Sequence, residues 1–369
     1  MSVVFIAGAV WLFLFSIMLM VEAINSFGFS LADYVINTTA NPFIGLFIGL
    51  LATALFQSSS TSTTITVAAV ASGTLSLQGA IPIILGANIG TTLTSTIVSM
   101  GYITKANEFR KAVAAGTIHD LFNILLVVFF FPIEMRYHVL ENGSKFIASL
   151  LVPQSDFLLT PNISVFPNFE EIASWLVFYL GALGTLILAG LLLFACIKLI
   201  SRLLYDILIG GTKKKFTTAI FSSTIRSFGW GLFITSVAQS SSLTTSLIVP
   251  LVATGKVKLK RAFQFVMGAN IGTTITALLA AVFQTKVAIE VALVHLLFNL
   301  LGVLLFLSIP FLSRLVIFLA DKMGQYTLRI RLIGLAYIVI TFFLLPFTLI
   351  YISEGFEKKA EAHEISTEK

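Results

Sequence analysis

Apolar residues run along this chain in stretches too continuous for a water-facing fold. Val3–Met20, Trp175–Ile197, Ala288–Ile309 and Leu332–Ile352 are each nearly unbroken apolar segments. About twenty such residues form a helix long enough to cross a bilayer. At that depth the backbone must bond to itself, so helices are the expected element. The pattern predicts an all-α polytopic membrane protein.

Two kinds of polar interruption recur inside the apolar pattern. "QSSSTST" occupies Gln57–Thr63, and "QSSSLTTS" occupies Gln239–Ser246. "GANIGTT" occurs at Gly86–Thr92 and again at Gly268–Thr274. Both pairs are offset by 182 positions. "HDLFN" at His119–Asn123 matches "HLLFN" at His295–Asn299, offset by 176. Three motifs in one order at nearly one spacing identify a duplicated chain.

Each "QSSS" sits midway along an apolar segment whose arms hold about a dozen residues. Such an arm reaches mid-membrane without crossing. The predicted elements are re-entrant helical hairpins at 42–71 and 228–252. Broken transmembrane helices follow at 79–100 and 262–283. About seven crossings plus the two hairpins complete the chain. The expected organisation is a first repeat over 1–134, an extracellular loop over 135–171 and a second repeat over 172–311. A cytoplasmic loop and final transmembrane helix take 312–352, and a charged, disordered tail takes 353–369.

Charge fixes the expected orientation. The basic residues cluster at Lys105–Lys111, Lys198–Arg226, Lys256–Arg261 and Arg314–Arg331. All four clusters share one side only if the second "QSSS" segment enters and returns on that side. The preference of Lys and Arg for the cytoplasm favours that arrangement. The two repeats are then inverted, with a cytoplasmic N-terminus and an extracytoplasmic C-terminus in the cell (inner) membrane. Hydrophobic residues make up 57% of the 369, charged residues 11%, and the net charge is +6. Here the charge orients spans and does not point to nucleic acid. The single cysteine, Cys196, excludes an intrachain disulfide and any cysteine metal cluster. The first apolar segment is read as a retained helix rather than a leader peptide.

Polar groups at membrane depth need polar partners. A hairpin tip exposes the amides that open its second arm. Amides, helix dipole and serine hydroxyls together suit a small oxyanion that must bind and then leave. The candidate phosphate ligands are Ser58, Ser59, Ser60 and Thr61, with Ser240, Ser241 and Ser242, and Asn88 and Asn270. In "GANIGTT" the glycines are expected to permit a helix break. The freed oxygens there suit Na+, as in sodium-coupled transporters. The candidate sodium ligands are Gln57, Gln239, Asp120, Asn123, Thr91, Thr92, Thr273 and Thr274. No other metal and no cofactor is expected. Small polar residues also serve helix packing, but two copies in order weigh against packing alone. His119 and His295 are read as packing or network residues. The Phe129–Phe131 run is read as lipid-facing. Asp120 is read as the only acid well inside a crossing helix, and Leu296 stands at the equivalent place.

With both sets of motifs in order, the chain resembles the sodium-dependent phosphate cotransporters, the type II animal transporters and their NptA-like bacterial counterparts. The resemblance spans about residues 40–350. It implies Na+-driven uptake of inorganic phosphate, with both "QSSS" motifs in the substrate and sodium pathway. It further implies that an acid at position 120 marks electrogenic members, carrying three Na+ per divalent phosphate. Relative to the family the chain reads as lacking a long N-terminal region, a loop cysteine pair and a last helix. A passive anion channel would conduct without Na+. An intramembrane hydrolase using Ser58–Ser60 and His119 would need one constellation, not two copies, and no G-x-S-x-G motif surrounds the serines.

Overall fold

The computed structural model describes residues 2–151, 169–209 and 219–352. The predicted tail over 353–369 lies outside these residues. All regular structure among the described residues is helical. Seven helices are long and apolar enough to cross a membrane: Gly8–Asn25, Leu77–Met100, Ala106–Tyr137, Glu171–Leu199, Leu259–Ala281, Lys286–Ser308 and Leu332–Ile352.

The first half begins with α1 (Ser2–Asn25) and α2 (Phe29–Thr39). It continues through α3 (Pro42–Phe56), α4 (Ser59–Ala71), α5 (Leu77–Gly90), α6 (Leu93–Met100) and α7 (Ala106–Tyr137). Asn41 caps α3 by accepting from the Phe43 amide, with Pro42 in the first turn. The polypeptide turns by 102° between Asp33–Thr39 and Pro42–Phe56. Two segments read as loops are helical. Val139–Leu151 forms α8, and Pro310–Arg329 forms a helix on the surface of α7. Pro310 starts the second, and one stripe of it, Val316, Ala320, Gly324 and Thr327, is buried. That spacing is helical, so the reading of 312–331 as a loop missed an amphipathic helix.

A long helical stretch, α9 (Phe169–Ile209), bends where Gly181 adopts φ 70°, and it packs along α1. The second half repeats the first as α10 (Thr224–Ala238), α11 (Ser241–Ser246), α12 (Ile248–Ala253), α13 (Leu259–Gly272), α14 (Thr274–Ala281) and α15 (Lys286–Ser308). The Pro310–Arg329 helix is α16, and α17 (Leu332–Val339) leads into a π-helical turn at Ile340–Leu344.

The duplication is visible atom by atom where α3 crosses α5 and α10 crosses α13. A Cβ on Gly49 would lie 2.0 Å from the Ile83 carbonyl oxygen, and one on Gly231 would lie 2.0 Å from that of Phe265. Gly86 meets the Leu46 oxygen at 1.8 Å, and Gly268 meets that of Phe228 at 2.0 Å. Every residue here and its counterpart stand 182 apart. These glycines let two backbones touch, as small-residue stripes do in membrane helices. The structure interrupts each helix inside "GANIGTT", as expected, but at its threonines and not at the glycines that flank Asn88 and Asn270: the interruptions come after Gly90 and at Thr273.

The phenylalanine run also differs from its lipid-facing reading. Phe129 is exposed, but Phe130 and Phe131 are buried. Phe130 meets the Phe298 ring edge-on, and Phe131 meets that of Phe43.

Candidate functional site

The "QSSS" tetrad encodes a turn. Gln57 ends α3 in the left-handed region at φ 52°, and Gln239 ends α10 at φ 50°. A left-handed glutamine is uncommon and persists only where its surroundings hold it. The next residue starts the following helix. Ser58 accepts from the Thr61 amide at 3.2 Å, and Ser240 accepts from that of Leu243 at 3.3 Å. Both first serines are therefore N-caps, with part of their hydrogen-bonding capacity engaged.

Three of the remaining serines converge on one residue. The Thr91 hydroxyl donates to Ser59 Oγ at 3.0 Å. It lies 3.2 Å from Ser241 Oγ and 3.4 Å from Ser242 Oγ. Ser242 donates to the Thr91 carbonyl at 3.2 Å. Ser60 donates to the Gln239 carbonyl at 2.8 Å, so each turn touches the other half of the chain. All of these side chains are buried. Thr91 is where α5 gives way to α6, so the interrupted helix supplies the common partner.

A second polar chain runs beside it. His119 Nε2 lies 2.5 Å from Asn270 Oδ1. Asn270 donates to Asn123 Oδ1 at 2.6 Å, and Asn123 donates to the Asn88 carbonyl at 2.6 Å. The chain joins α5, α7 and α13 across the two halves. Its counterpart is not built the same way. Both His295 ring nitrogens and Asn299 Oδ1 are buried with no hydrogen-bond partner.

Asp120 is fully buried. One carboxylate oxygen accepts from Thr96 at 2.7 Å, and the other is unpartnered. Tyr337, on the last crossing helix, faces this carboxylate. Sequence reading missed Tyr337, which lies three residues before the π-helical turn and carries no local sequence signal. Glu134 and Glu290 are further buried acids in crossing helices, so Asp120 is not alone there.

Several predicted ligands stand apart. Gln57 is exposed, whereas Gln239 is buried with Oε1 unpartnered. Asn88 bonds back to the Ile84 carbonyl, Thr92 to Ile89 and Thr274 to Ile271. Thr273 is buried without a partner. Thr61 hydrogen-bonds to Ser58. At the far end of α7, Glu134, His138 and Glu141 gather their ligand atoms within 4.8 Å. Their capacity is largely taken. Glu134 accepts from the Leu140 and Glu141 amides, and Glu141 bonds Lys145, His138 and Gln78. Burial pushes the Glu141 carboxyl up, but Lys145 and His138 outweigh it and hold it below its ordinary value.

With both turns and their shared threonine in place, comparison with known proteins has a geometry to explain. The family model described as Na+/Pi-cotransporter matches residues 12–147 and 191–350. The chain belongs to that family. It is 31% identical to sodium-dependent phosphate transport protein 2B of Homo sapiens over 448 aligned residues, covering 95% of this chain and 65% of the relative. It is 31% identical to protein 2A of Rattus norvegicus, covering 92% and 66%, and 31% identical to protein 2C of the same organism, covering 74% and 59%. The chain thus spans about two thirds of these curated relatives or less. No solved structure matches it. Both segments of the family match contain one serine turn and one "GANIGTT". The polar centre described above therefore lies inside the Na+/Pi-cotransporter homology.

Proposed function

We propose that the chain is a secondary active transporter, carrying inorganic phosphate inward with Na+ by alternating access. The observation that carries this reading is the meeting of two helix-capped serine turns, one from each half, at Thr91. Buried hydroxyls and helix-opening amides can hold a divalent oxyanion without a permanent cation, so release remains possible. In this reading the phosphate ligands are Ser58 to Thr61 and Ser240 to Ser242, with Asn88 and Asn270 nearby. Sodium ligands come from Gln57, Gln239, Asn123, Asp120 and the threonines at 91, 92, 273 and 274. Na+ is a coupling ion rather than a resident cofactor. The printed names of the relatives, sodium-dependent phosphate transport proteins, support the substrate pair.

The deciding experiment is radiolabelled phosphate uptake into proteoliposomes under Na+, K+ or H+ gradients. Accumulation under the Na+ gradient alone is the expected result. Equal entry in all three would make the protein a passive anion pathway.

Ser59→Ala and Ser241→Ala each remove a hydroxyl from one turn. Each is expected to weaken phosphate binding by roughly 1.5–3 kcal/mol, the worth of a hydrogen bond to a charged group. The half-saturating phosphate concentration for Na+-driven uptake measures it. Wild-type values in both variants would remove the turns from the pathway.

The repeats are proposed to be inverted about the membrane plane, which is how such transporters place a site near the midplane. Ser76 and Lys258 are equivalent, each preceding the glycine-crossed helix of its half. In a Cys196→Ala background, an impermeant thiol reagent on intact cells should label Ser76→Cys and spare Lys258→Cys. Labelling of both would reject the inversion.

A further inference from the structure

A cavity of about 640 Å³ lies between the start of α7, the end of α12 and the face of α16. Arg110, Lys111 and Lys258 line it, with Asp321 as its one acid. Arg110 spends its charge on Asp321, in contacts of 2.9 and 3.1 Å to the two carboxylate oxygens. Gln325 donates to one of those oxygens at 2.7 Å, so the acid is fully engaged. Lys111 and Lys258 have no acidic partner among the described residues. The cavity therefore presents two uncompensated ammonium groups. A dianion would balance them.

Local backbone shape holds these charges together. Gly255 turns the chain after α12 at φ +74°, and a Cβ there would lie 3.5 Å from Lys111 Nζ. The turn thus brings the Lys258 backbone alongside α7. The equivalent position in the first half is Ser76, a neutral N-cap that accepts from the Gly79 amide. The Lys258 charge therefore has no counterpart in the first half. α7 joins this cavity to the polar centre directly. Nine residues separate Arg110 from His119, about 14 Å of helix.

We infer that this cavity is a second phosphate-group site, holding a dianionic phosphate between Lys111 and Lys258. Its ligand is either free inorganic phosphate on its way from the serine turns or the phosphomonoester headgroup of a membrane lipid. The first source rests on the proposed transport, the second does not. Ammonium groups need no sodium to hold a phosphate, so binding here is Na+-independent.

The full chain in phosphatidylcholine nanodiscs, in K+ without Na+, provides the test. One arm measures equilibrium binding of radiolabelled inorganic phosphate. The other measures retention of added phosphatidic acid by native mass spectrometry. Lys111→Gln/Lys258→Gln is expected to weaken binding in one arm at least tenfold, while Lys111→Arg/Lys258→Arg keeps it. Loss in the first arm makes the ligand free phosphate; loss in the second makes it a lipid. The single variants Lys111→Gln and Lys258→Gln, each expected to lose binding partially, replace the double one if it fails to fold. No binding in either arm by the wild type, or equal binding by wild type and glutamine variants, overturns the site. Equal loss in the arginine pair also overturns it, since charge would not be the cause. Na+-driven uptake by the wild type stands or falls separately.

Discussion

Gly86→Ala and Gly268→Ala each remove most of the folded protein from detergent extracts. Neither methyl group has anywhere to go. At Gly86 it would sit 1.8 Å from the Leu46 carbonyl oxygen, and at Gly268 2.0 Å from that of Phe228. Both obstacles are backbone, so no side chain can swing aside. α3 must part from α5, or α10 from α13, and each separation undoes a crossing lined by buried residues. Overpacking a close-packed interior costs about 1–3 kcal/mol when side chains can yield, and here they cannot. Native stability of only about 5–15 kcal/mol leaves little margin. Gly229→Ala is the control, because a Cβ at Gly229 meets nothing within 4 Å. Size-exclusion profiles and melting temperatures of the three variants decide the matter. Wild-type stability in Gly86→Ala would mean the crossing is looser than the structure has it.

Asp120→Gly abolishes phosphate-evoked current while leaving part of the uptake. Asp120 is buried, and the side chains that meet its carboxylate, Thr96 and Tyr337, are neutral hydroxyls. A charged carboxylate in that position is costly unless a cation completes it. In the proposed transport that cation would be Na+. Divalent phosphate with two Na+ would carry no net charge, and an ion at Asp120 would make it three. The charge then moved couples accumulation to the membrane potential by about 2.3 kcal/mol per 100 mV. Glycine at position 120 removes that coupling. Tyr337→Phe keeps the carboxylate and should keep the current, at an altered Na+ dependence, because the hydroxyl facing Asp120 is lost. Current on supported membranes, wild type against both variants, is the measurement. A silent wild type with robust Na+-dependent uptake would give Asp120 another task.

Much of the framework was legible because lipid imposes simple rules. Apolar length marks the seven crossings. The duplication was readable as text. What escaped the sequence is information about neighbours. Gly86 and Gly90 looked like a break because their spacing does not say which backbone lies opposite. Their partners, Leu46 and Leu50, come from a different helix. Ser58 and Ser240 resembled ligands, and their capping role appears only with the turn in place. Thr91 was one of eight sodium candidates, and nothing local distinguishes it as the residue both turns share. Tyr337 lies more than two hundred residues from Asp120, beyond any local pattern.

The mismatch between Asp120 and Leu296 has an arithmetic consequence. Two identical copies related by a twofold axis can bring only even numbers of charges to their centre. Fusing the copies into one chain lifts that parity. Position 120 can change without position 296, and the centre gains a single carboxylate that a pair of identical subunits could not hold. The glycine crossings are paired between the two halves, whereas the charge at position 120 is not. In the proposed transport, an odd number of sodium ions per cycle would rest on that unpaired carboxylate.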